Sequence, residues 1–583
     1  MMMISLECRK WTVLVAVIWI QAFTGTNFDF PSYSTRMKSK LKINQLHLNY
    51  LAMASDIGKL FGWCSGVLLL YFPKWVVLFM AAFVGLFAYG LQWLIIQRAI
   101  SLPYFVVFAL CLSAGASITW FNTVCFLLCI ENFPENWPLA VSLSVSFNGV
   151  TAALYNVIVK KLSPNNKNTS YLILNAVIPL ITATAALVPI LQQPESQKDH
   201  QIDESVNKDD AYIFVCMYIL AAVTGLYLYF VGPASQNIFH VALLLVVLPL
   251  VLPKTVYALK RVYLALQSER HPGEGPSYNL VELKHQEEDS EGPSYNLVEM
   301  KHQEERSEES SIFNNTLCGF HGILEKDRLR VLGEEHTAKV LVTRCDFWLY
   351  YVAYFCGGTI GLVYNNNLGQ ICQSLGYISE TKALVTVYST CSFLGRLFSA
   401  TADLVGCFYH LTHTNMYTAR TGRLTLAIVP IPIAFLMLVL SDSKIALHIA
   451  TGLMGISCGF LISTAISITS ELFGPKSSGI NHNILITNIP LGSLLYGLLA
   501  ALIYDAHIFR SKEEVVDGSK VCLGRRCYKD TFGLWGCISF VGFASSFLLF
   551  LRTKAAYEED NNRRRNRMRE EDKISLQEEE CLI

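Results

Sequence analysis

Residues 55–63 read SDIGKLFGW, and residues 392–400 read SFLGRLFSA. At a shift of 337 residues, Gly58, Leu60 and Phe61 fall on Gly395, Leu397 and Phe398, and Lys59 meets Arg396. The same shift places Trp11, Val15 and Ala16 on Trp348, Val352 and Ala353. Chance likeness between apolar segments gives scattered matches. A gapless register that carries a cation onto a cation reads as an internal duplication. A second register, of 340 residues, sets Gly115 on Gly455 and ENF (131–133) on ELF (471–473), which makes Glu131 and Glu471 equivalent.

The duplicated segments belong to a chain of 583 residues that is 52% hydrophobic and 16% charged, with mean hydropathy +0.37. A helix crosses a bilayer with about 20 apolar residues, and such runs are numerous. Candidate spans lie near 11–30, 46–71, 75–97, 103–129, 138–159 and 170–191. Two more lie near 212–231 and 238–258, and the rest near 346–366, 383–404, 424–441, 445–468, 482–504 and 532–551. The expected fold is therefore an all-α membrane protein of two six-helix bundles, residues 1–191 and 344–552. Between them come an inserted pair of helices (192–258) and a polar cytosolic loop without a core (259–343), and a charged tail (553–583) follows. The count is about 14 spans, with 12 as the alternative. Parallel halves of six spans are the architecture of the major facilitator transporters. The N-terminal apolar run is long and lacks a small-residue cleavage site, so it reads as an uncleaved first span.

Composition also excludes. Net charge is zero, so there is no nucleic-acid footprint. The 17 cysteines are mostly scattered inside apolar runs and read as small buried hydrophobes. No metal-ligand spacing, phosphate loop or nucleophile elbow survives its context, so no metal or other cofactor and no enzyme activity is expected.

Basic residues in short loops set orientation. The tail and TARTGR (418–423) are basic, which predicts cytosolic N- and C-termini. The sequon at Asn168 then lies outside, as glycosylation requires. RMKSKLK (36–42) also lands outside, against the rule. Cys522 and Cys527, in CLGRRC, fall on the same outer side, where an oxidising compartment favours a disulfide. In the polar loop GPSYNLVELKHQEE (275–288) recurs at 292–305, reading as a tandem duplication in a linker. Each copy carries Tyr-x-x-Val, at Tyr278 and Tyr295, resembling a tyrosine-based adaptor signal. The terminal EEECLI, with Leu582 and Ile583, resembles an acidic dileucine signal. Together they predict trafficking adaptors as partners and a plasma-membrane, vacuolar or other endomembrane location. The other partners expected are the bilayer and a small-molecule substrate, and the chain is expected to be a monomer.

SDIGKLFGWCSG, AYFCGGTIGLVYNNNLGQICQSLG and FLGRLFSATAD resemble the plant nodulin-like branch of the major facilitator superfamily, the nuclear-fusion-defective-like proteins. The resemblance covers residues 9–191 and 340–552 and implies a multi-pass membrane transporter. It supplies no established substrate, though some relatives look like monocarboxylate or oxalate-type carriers. The chain departs from the superfamily pattern after the second span, where GVLLLYFPKW offers only Lys74. The second half keeps Asp403, and Asp403 with Arg420 or Arg423 is the expected gating latch.

A charge at mid-span faces a bundle interior or a cavity, because hydrocarbon penalises it by a few kcal/mol. Lys59 and Arg396 are such charges, and Arg offers a two-pronged donor to a carboxylate. Asp56 lies three residues before Lys59, on the same helix face, and could neutralise it. Arg396 has no acid within one turn. Opposite each other in the 337 register stand TNFDF, with Asn27 and Asp29, and YNNN, with Asn365, Asn366 and Asn367. These are predicted to form the outer mouth of the path, one of them capping the helix end; the alternative is a solvated loop after Tyr364. Asn122 is placed near the bundle interior. Glu131 and Glu471 read either as coupling sites or as helix-end groups. The leading reading is a small-organic-anion carrier, with or without protons. The others are a metal-cation or neutral-solute carrier whose site is formed by Asp29, Asp56 and the asparagines, and a non-transporting receptor or scaffold.

Overall fold

The computed structural model describes residues 2–134, 136–162, 170–192, 204–230, 240, 244–245, 248–256, 328–410, 419–474, 477–510, 514–516 and 519–582. The chain divides into two compact units, Met1–Lys254 joined with Asp327–Ile583, and Thr255–Lys326. The first is described here; Asn168, Tyr278, Tyr295 and Ile583 lie outside the described residues, as do the side chains of Asp403 and Leu582.

The first half begins with α1 (Met2–Thr24), a 3-10 turn (Thr26–Asp29) and α2 (Phe30–Leu41), a single crossing with a break in its middle. The break is possible because Gly25 has no side chain. A Cβ there would stand 2.2 Å from the Asn148 carbonyl oxygen, and the Gly25 N–H donates to Thr151 Oγ1 at 3.1 Å. The second crossing is α3 (Gln45–Lys59) with α4 (Gly62–Tyr71), and Asn44 caps it by accepting the His47 N–H at 2.8 Å. Next come α5 (Lys74–Ile96) and α6 (Tyr104–Asn132), each opened by a proline. The half closes with α7 (Trp137–Asn148), α8 (Thr151–Leu162) and α9 (Ser170–Leu191). An inserted helix, α10 (Glu204–Phe230), follows.

The second half repeats the plan. After the short α11 (Ala338–Leu341), α12 (Cys345–Ala353), a π turn (Tyr354–Gly358) and α13 (Thr359–Ser374) make one crossing. Then come α14 (Thr381–His410), α15 (Arg420–Ile428) with α16 (Pro430–Leu440), and α17 (Lys444–Phe473). The last are α18 (Ser478–Ile486), α19 (Asn488–Arg510), a small antiparallel hairpin of β1 (Glu514–Val516) and β2 (Ser519–Val521), and α20 (Arg526–Leu582). Cys522 and Cys527 are bonded beside the hairpin; this end of the bundle is called the disulfide side, and the opposite end the terminal side.

Twelve of these crossings among the described residues are long and apolar enough to span a membrane, and α10 is one of them. Thr381–His410, 30 residues long, packs as a further crossing. The predicted span at 238–258 is described only in part; there Leu245 accepts the Trp19 indole N–H at 2.8 Å and so runs beside α1.

Glycine sets how closely the helices approach. A Cβ on Gly58 would meet the Leu112 carbonyl oxygen at 1.9 Å, and one on Gly115 the Ser55 carbonyl oxygen at 1.8 Å. The second half has the same pair of contacts, Gly395 on Ile456 at 2.1 Å and Gly459 on Ser392 at 2.0 Å. In lipid, where apolar burial gives helices no reason to associate, this small-residue packing holds α3 on α6 and α14 on α17.

These contacts correct the second sequence register. Ser55 and Ser392 keep the shift of 337, but Leu112 and Ile456, like Gly115 and Gly459, stand 344 apart. The expected shift of 340 is short by four residues, about one helical turn. A one-turn slip leaves the apolar face almost unchanged, which is why the pattern does not reveal it. Glu131 and Glu471 are therefore not equivalent.

Two boundaries also differ from expectation. The crossing predicted to end at 366 continues to Ser374, so Asn365, Asn366 and Asn367 lie inside a helix; they neither cap it nor form a loop. The first crossing continues to Leu41, so most of RMKSKLK is helical.

Gly58→Ala and Gly395→Ala should each destabilise the fold by about 1–3 kcal/mol, because backbone must move to admit the methyl group. Gly66, with nothing within 4 Å, should accept alanine without loss. Thermal unfolding of the detergent-purified variants checks this.

Candidate functional site

The two halves meet along α2, α3, α7 and α8 on one side and α13, α14 and α19 on the other. Their hydrogen bonds run from the disulfide side to the middle of the interface. Nearest the disulfide side, Gln45 Nε2 donates to Asn367 Oδ1 at 3.3 Å, and Lys38 Nζ to Gln45 Oε1 at 3.0 Å. Asn49 Nδ2 donates to the Gly497 carbonyl at 2.7 Å, and Gln370 Nε2 to Ser34 Oγ at 3.2 Å. On the other seam, Asn156 donates to Thr386 Oγ1 at 2.6 Å, and Ser389 to the Gly149 carbonyl at 2.5 Å. Together they form a roof that closes the disulfide side.

Below the roof is a small cleft lined by Asn27, Tyr33, Asp56, Tyr89, Gln92 and Asn366 among others. Of the asparagine run, Asn366 alone reaches the cleft. Asn367 is 1% exposed and belongs to the roof, and Asn365 is 2% exposed with its Oδ1 unpartnered. Consecutive helix residues diverge by about 100°, which forces this division of labour.

The two cations differ sharply. Lys59 Nζ stands 2.6 Å from Asp56 Oδ1, and Asp56 Oδ2 accepts from Ser493 Oγ at 2.5 Å. Lys59 is thus neutralised within its own helix, the internal pairing that the i, i+3 spacing allows. Arg396 is 2% exposed, and among the described residues no carboxylate pairs with it. Its Nη1 donates to the Val145 carbonyl at 2.7 Å, its Cζ lies 5.4 Å from the centre of the Phe28 ring, and its Nε has no partner. Phe28 adjoins Asn27 in the cleft wall, so the guanidinium stands one residue behind that wall.

Asp29 is fully buried beneath the cleft and accepts from Asn175 Nδ2 at 3.1 Å. Asn122, in α6, has an unpartnered Oδ1. Glu131 pairs with Lys74, and Glu471 with Arg420 at 3.7 Å while accepting from Tyr557 at 2.7 Å. Both glutamates lie at the terminal side, each bound within its own half. Arg423 donates to the Ser399 carbonyl at 3.3 Å. Among the described residues no group of three or more His, Cys, Asp or Glu is placed to hold a metal ion.

Several site residues were not singled out in the sequence: Gln92 and Tyr89 in the cleft, and Lys38, Gln45, Asn49 and Ser493 in the interface. A signal for some of them existed. Gln45, Asn49 and Asp56 fall on one stripe of α3, and that stripe faces the other half.

A Cβ built on Gly497 would lie 3.7 Å from Asn49 Cβ, within the range that a disulfide needs. Asn49→Cys combined with Gly497→Cys should therefore cross-link on mild oxidation and fix the roof shut. A gel-mobility shift between proteolytic fragments, reversed by dithiothreitol, checks it.

Residues 10–257 match the Nodulin-like family and residues 330–558 the NFD4 C-terminal domain. The chain is 47% identical over 575 residues to Protein NUCLEAR FUSION DEFECTIVE 4 of Arabidopsis thaliana, covering 97% of this chain and 91% of that protein. It is 27% identical over 226 residues to Probable transporter MCH1 of Yarrowia lipolytica, covering 37% of this chain and 44% of that one. Among solved structures, a point-mutant form of the peptide transporter POT superposes with a TM-score of 0.50 at 11% identity over 95% of each chain, a likeness of fold. The chain is thus an integral multi-pass membrane protein with the major facilitator fold, and it belongs to the nodulin-like family that includes NUCLEAR FUSION DEFECTIVE 4.

Proposed function

We propose that the protein is a secondary transporter of a small organic anion, working by alternating access as its two halves rock about the cleft. What carries the proposal is Arg396. A buried guanidinium has five N–H donors, and here one carbonyl and one aromatic ring are its partners. Leaving an ion so poorly solvated costs several kcal/mol, and a carboxylate arriving from the cleft would offset that cost with a two-pronged ion pair. The terminal side is taken as cytosolic, so the closed roof makes this an inward-facing form. The transporter fold and the resemblance to MCH1, itself called a probable transporter, support the same reading. A metal-cation carrier is less well supported, because Asp56 is already occupied by Lys59 and Ser493.

The test is uptake of labelled monocarboxylates and oxalate into proteoliposomes. Arg396→Gln should lower kcat/KM about 30-fold or more, the equivalent of about 2 kcal/mol for losing one partner of a desolvated ion pair. Arg396→Lys should recover part of it, and Lys59→Gln should act chiefly on stability. Saturable uptake that is unchanged by Arg396→Gln rejects the role of Arg396; no carboxylate flux from intact wild-type protein rejects the substrate class.

A further inference from the structure

Among the described residues, no cation forms an ion pair with Asp29. Asp29 closes the 3-10 turn between α1 and α2 and is 0% exposed. Its Oδ1 accepts from Asn175 Nδ2 at 3.1 Å, while its Oδ2 has no partner. Asn175, in α9, is 1% exposed, and its own Oδ1 is also without a partner. Both atoms are acceptors. These two orphaned acceptors sit on side chains already joined by one hydrogen bond, and each lacks a hydrogen.

The groups around Asp29 cannot supply a balancing charge. Tyr33 of α2, Tyr89 of α5, Tyr155 of α8 and Tyr171 of α9 lie close enough to feel its charge, and Cys111 of α6 stands beside Tyr33 and Tyr89. Three of these hydroxyls are turned elsewhere: Tyr89 pairs with Thr26 at 2.6 Å, Tyr155 donates to the Phe23 carbonyl at 2.9 Å, and Tyr171 donates to Asn156 Oδ1. Two cations approach from α14, but each faces a ring, Arg396 over Phe28 and Lys382 over Tyr171 at 5.7 Å.

We infer that Asp29 and Asn175 form a proton-binding pair, the site at which transport is coupled to protons. The inference rests on the anion-carrier reading and deepens it. One proton from bulk water converts the Asp29 carboxylate to a carboxylic acid, and its O–H then donates to Asn175 Oδ1 while the amide N–H keeps its bond to the acid. Both orphaned acceptors are satisfied by one added hydrogen. The pair is well placed for coupling. Asn27 and Phe30, on either side of it in the chain, line the cleft, and Phe28 carries Arg396. The closed roof holds Asp29 dry and protonated. Movement of α2 away from α13 admits water to the turn and lets the proton leave. Glu131 and Glu471, the acids that the sequence suggested for this role, already have cationic partners.

Difference infrared spectroscopy on the purified full-length protein reads the proton directly, without substrate. Wild type should show the carbonyl band of a buried neutral carboxylic acid, absent in Asp29→Asn. In Asn175→Leu, which keeps the acid and removes its acceptor, the band should persist at a higher frequency. A wild-type spectrum in which Asp29→Asn removes no such band overturns the inference. Proteoliposome assays then read coupling. Asp29→Asn should lose proton-driven accumulation of the carboxylate about tenfold or more while keeping substrate exchange at zero gradient. Accumulation that survives in Asp29→Asn overturns the coupling role. Wild type that binds the proton yet moves no carboxylate refutes the substrate reading alone and leaves the proton site standing.

Discussion

Backbone-to-backbone contact through glycine is the constraint on which the rest of this architecture depends. Gly58 lies on the carbonyl of Leu112 and Gly395 on that of Ile456. In each half the residue after the glycine is the mid-span cation, Lys59 or Arg396. The glycine fixes how close its helix comes to the partner helix and how it is rotated. The cation, about 100° round the helix from the glycine, is thereby aimed away from that partner. A side chain at either glycine would push the helix out and turn the charge from the interface.

The duplication produced two cations, and the halves then treated them differently. Asp56 neutralises Lys59 from one turn away. At the matching place in the second half, 337 residues on, stands Phe393. That ring packs on Phe147 at 5.1 Å between centroids and against Gly225, while the Phe393 backbone lies against Gly149. With a phenyl ring where the first half has its acid, Arg396 has no countercharge at that position. The two cations of the repeat thus differ in countercharge: Lys59 has Asp56, and Arg396 has none among the described residues.

Asp29 is the complement of Arg396. Among the described residues, one is an acid without a cation and the other a cation without an acid, and Phe28 lies next to the first and beneath the second. They do not pair, because the Phe28 ring faces the guanidinium while the turn directs Asp29 toward Asn175. The inserted α10 braces this region from outside. Lys10 pairs with Asp210 at 2.6 Å, Tyr218 donates to the Leu139 carbonyl at 3.0 Å, and Gly225 admits Phe393. A helix laid across α7 and α14 touches both halves.

The sequence by itself determined the fold. Apolar runs of membrane length and a cation-preserving repeat leave few alternatives, because lipid permits little besides helices. The same periodicity marked Lys59, Arg396, Asp56 and the paired polar segments as special. It misplaced what depends on angle and distance. A four-residue slip between α6 and α17 is nearly invisible to a pattern with a 3.6-residue turn, so Glu131 and Glu471 were wrongly matched. An asparagine run read as a mouth became one cleft residue, one roof residue and one buried polar group. Above all, nothing in the chain order brings Asn175 to Asp29, 146 residues away, or leaves Arg396 without an acid among all the helices that surround it. Charge balance in a membrane protein is settled by neighbours in space, and only the packed structure names them.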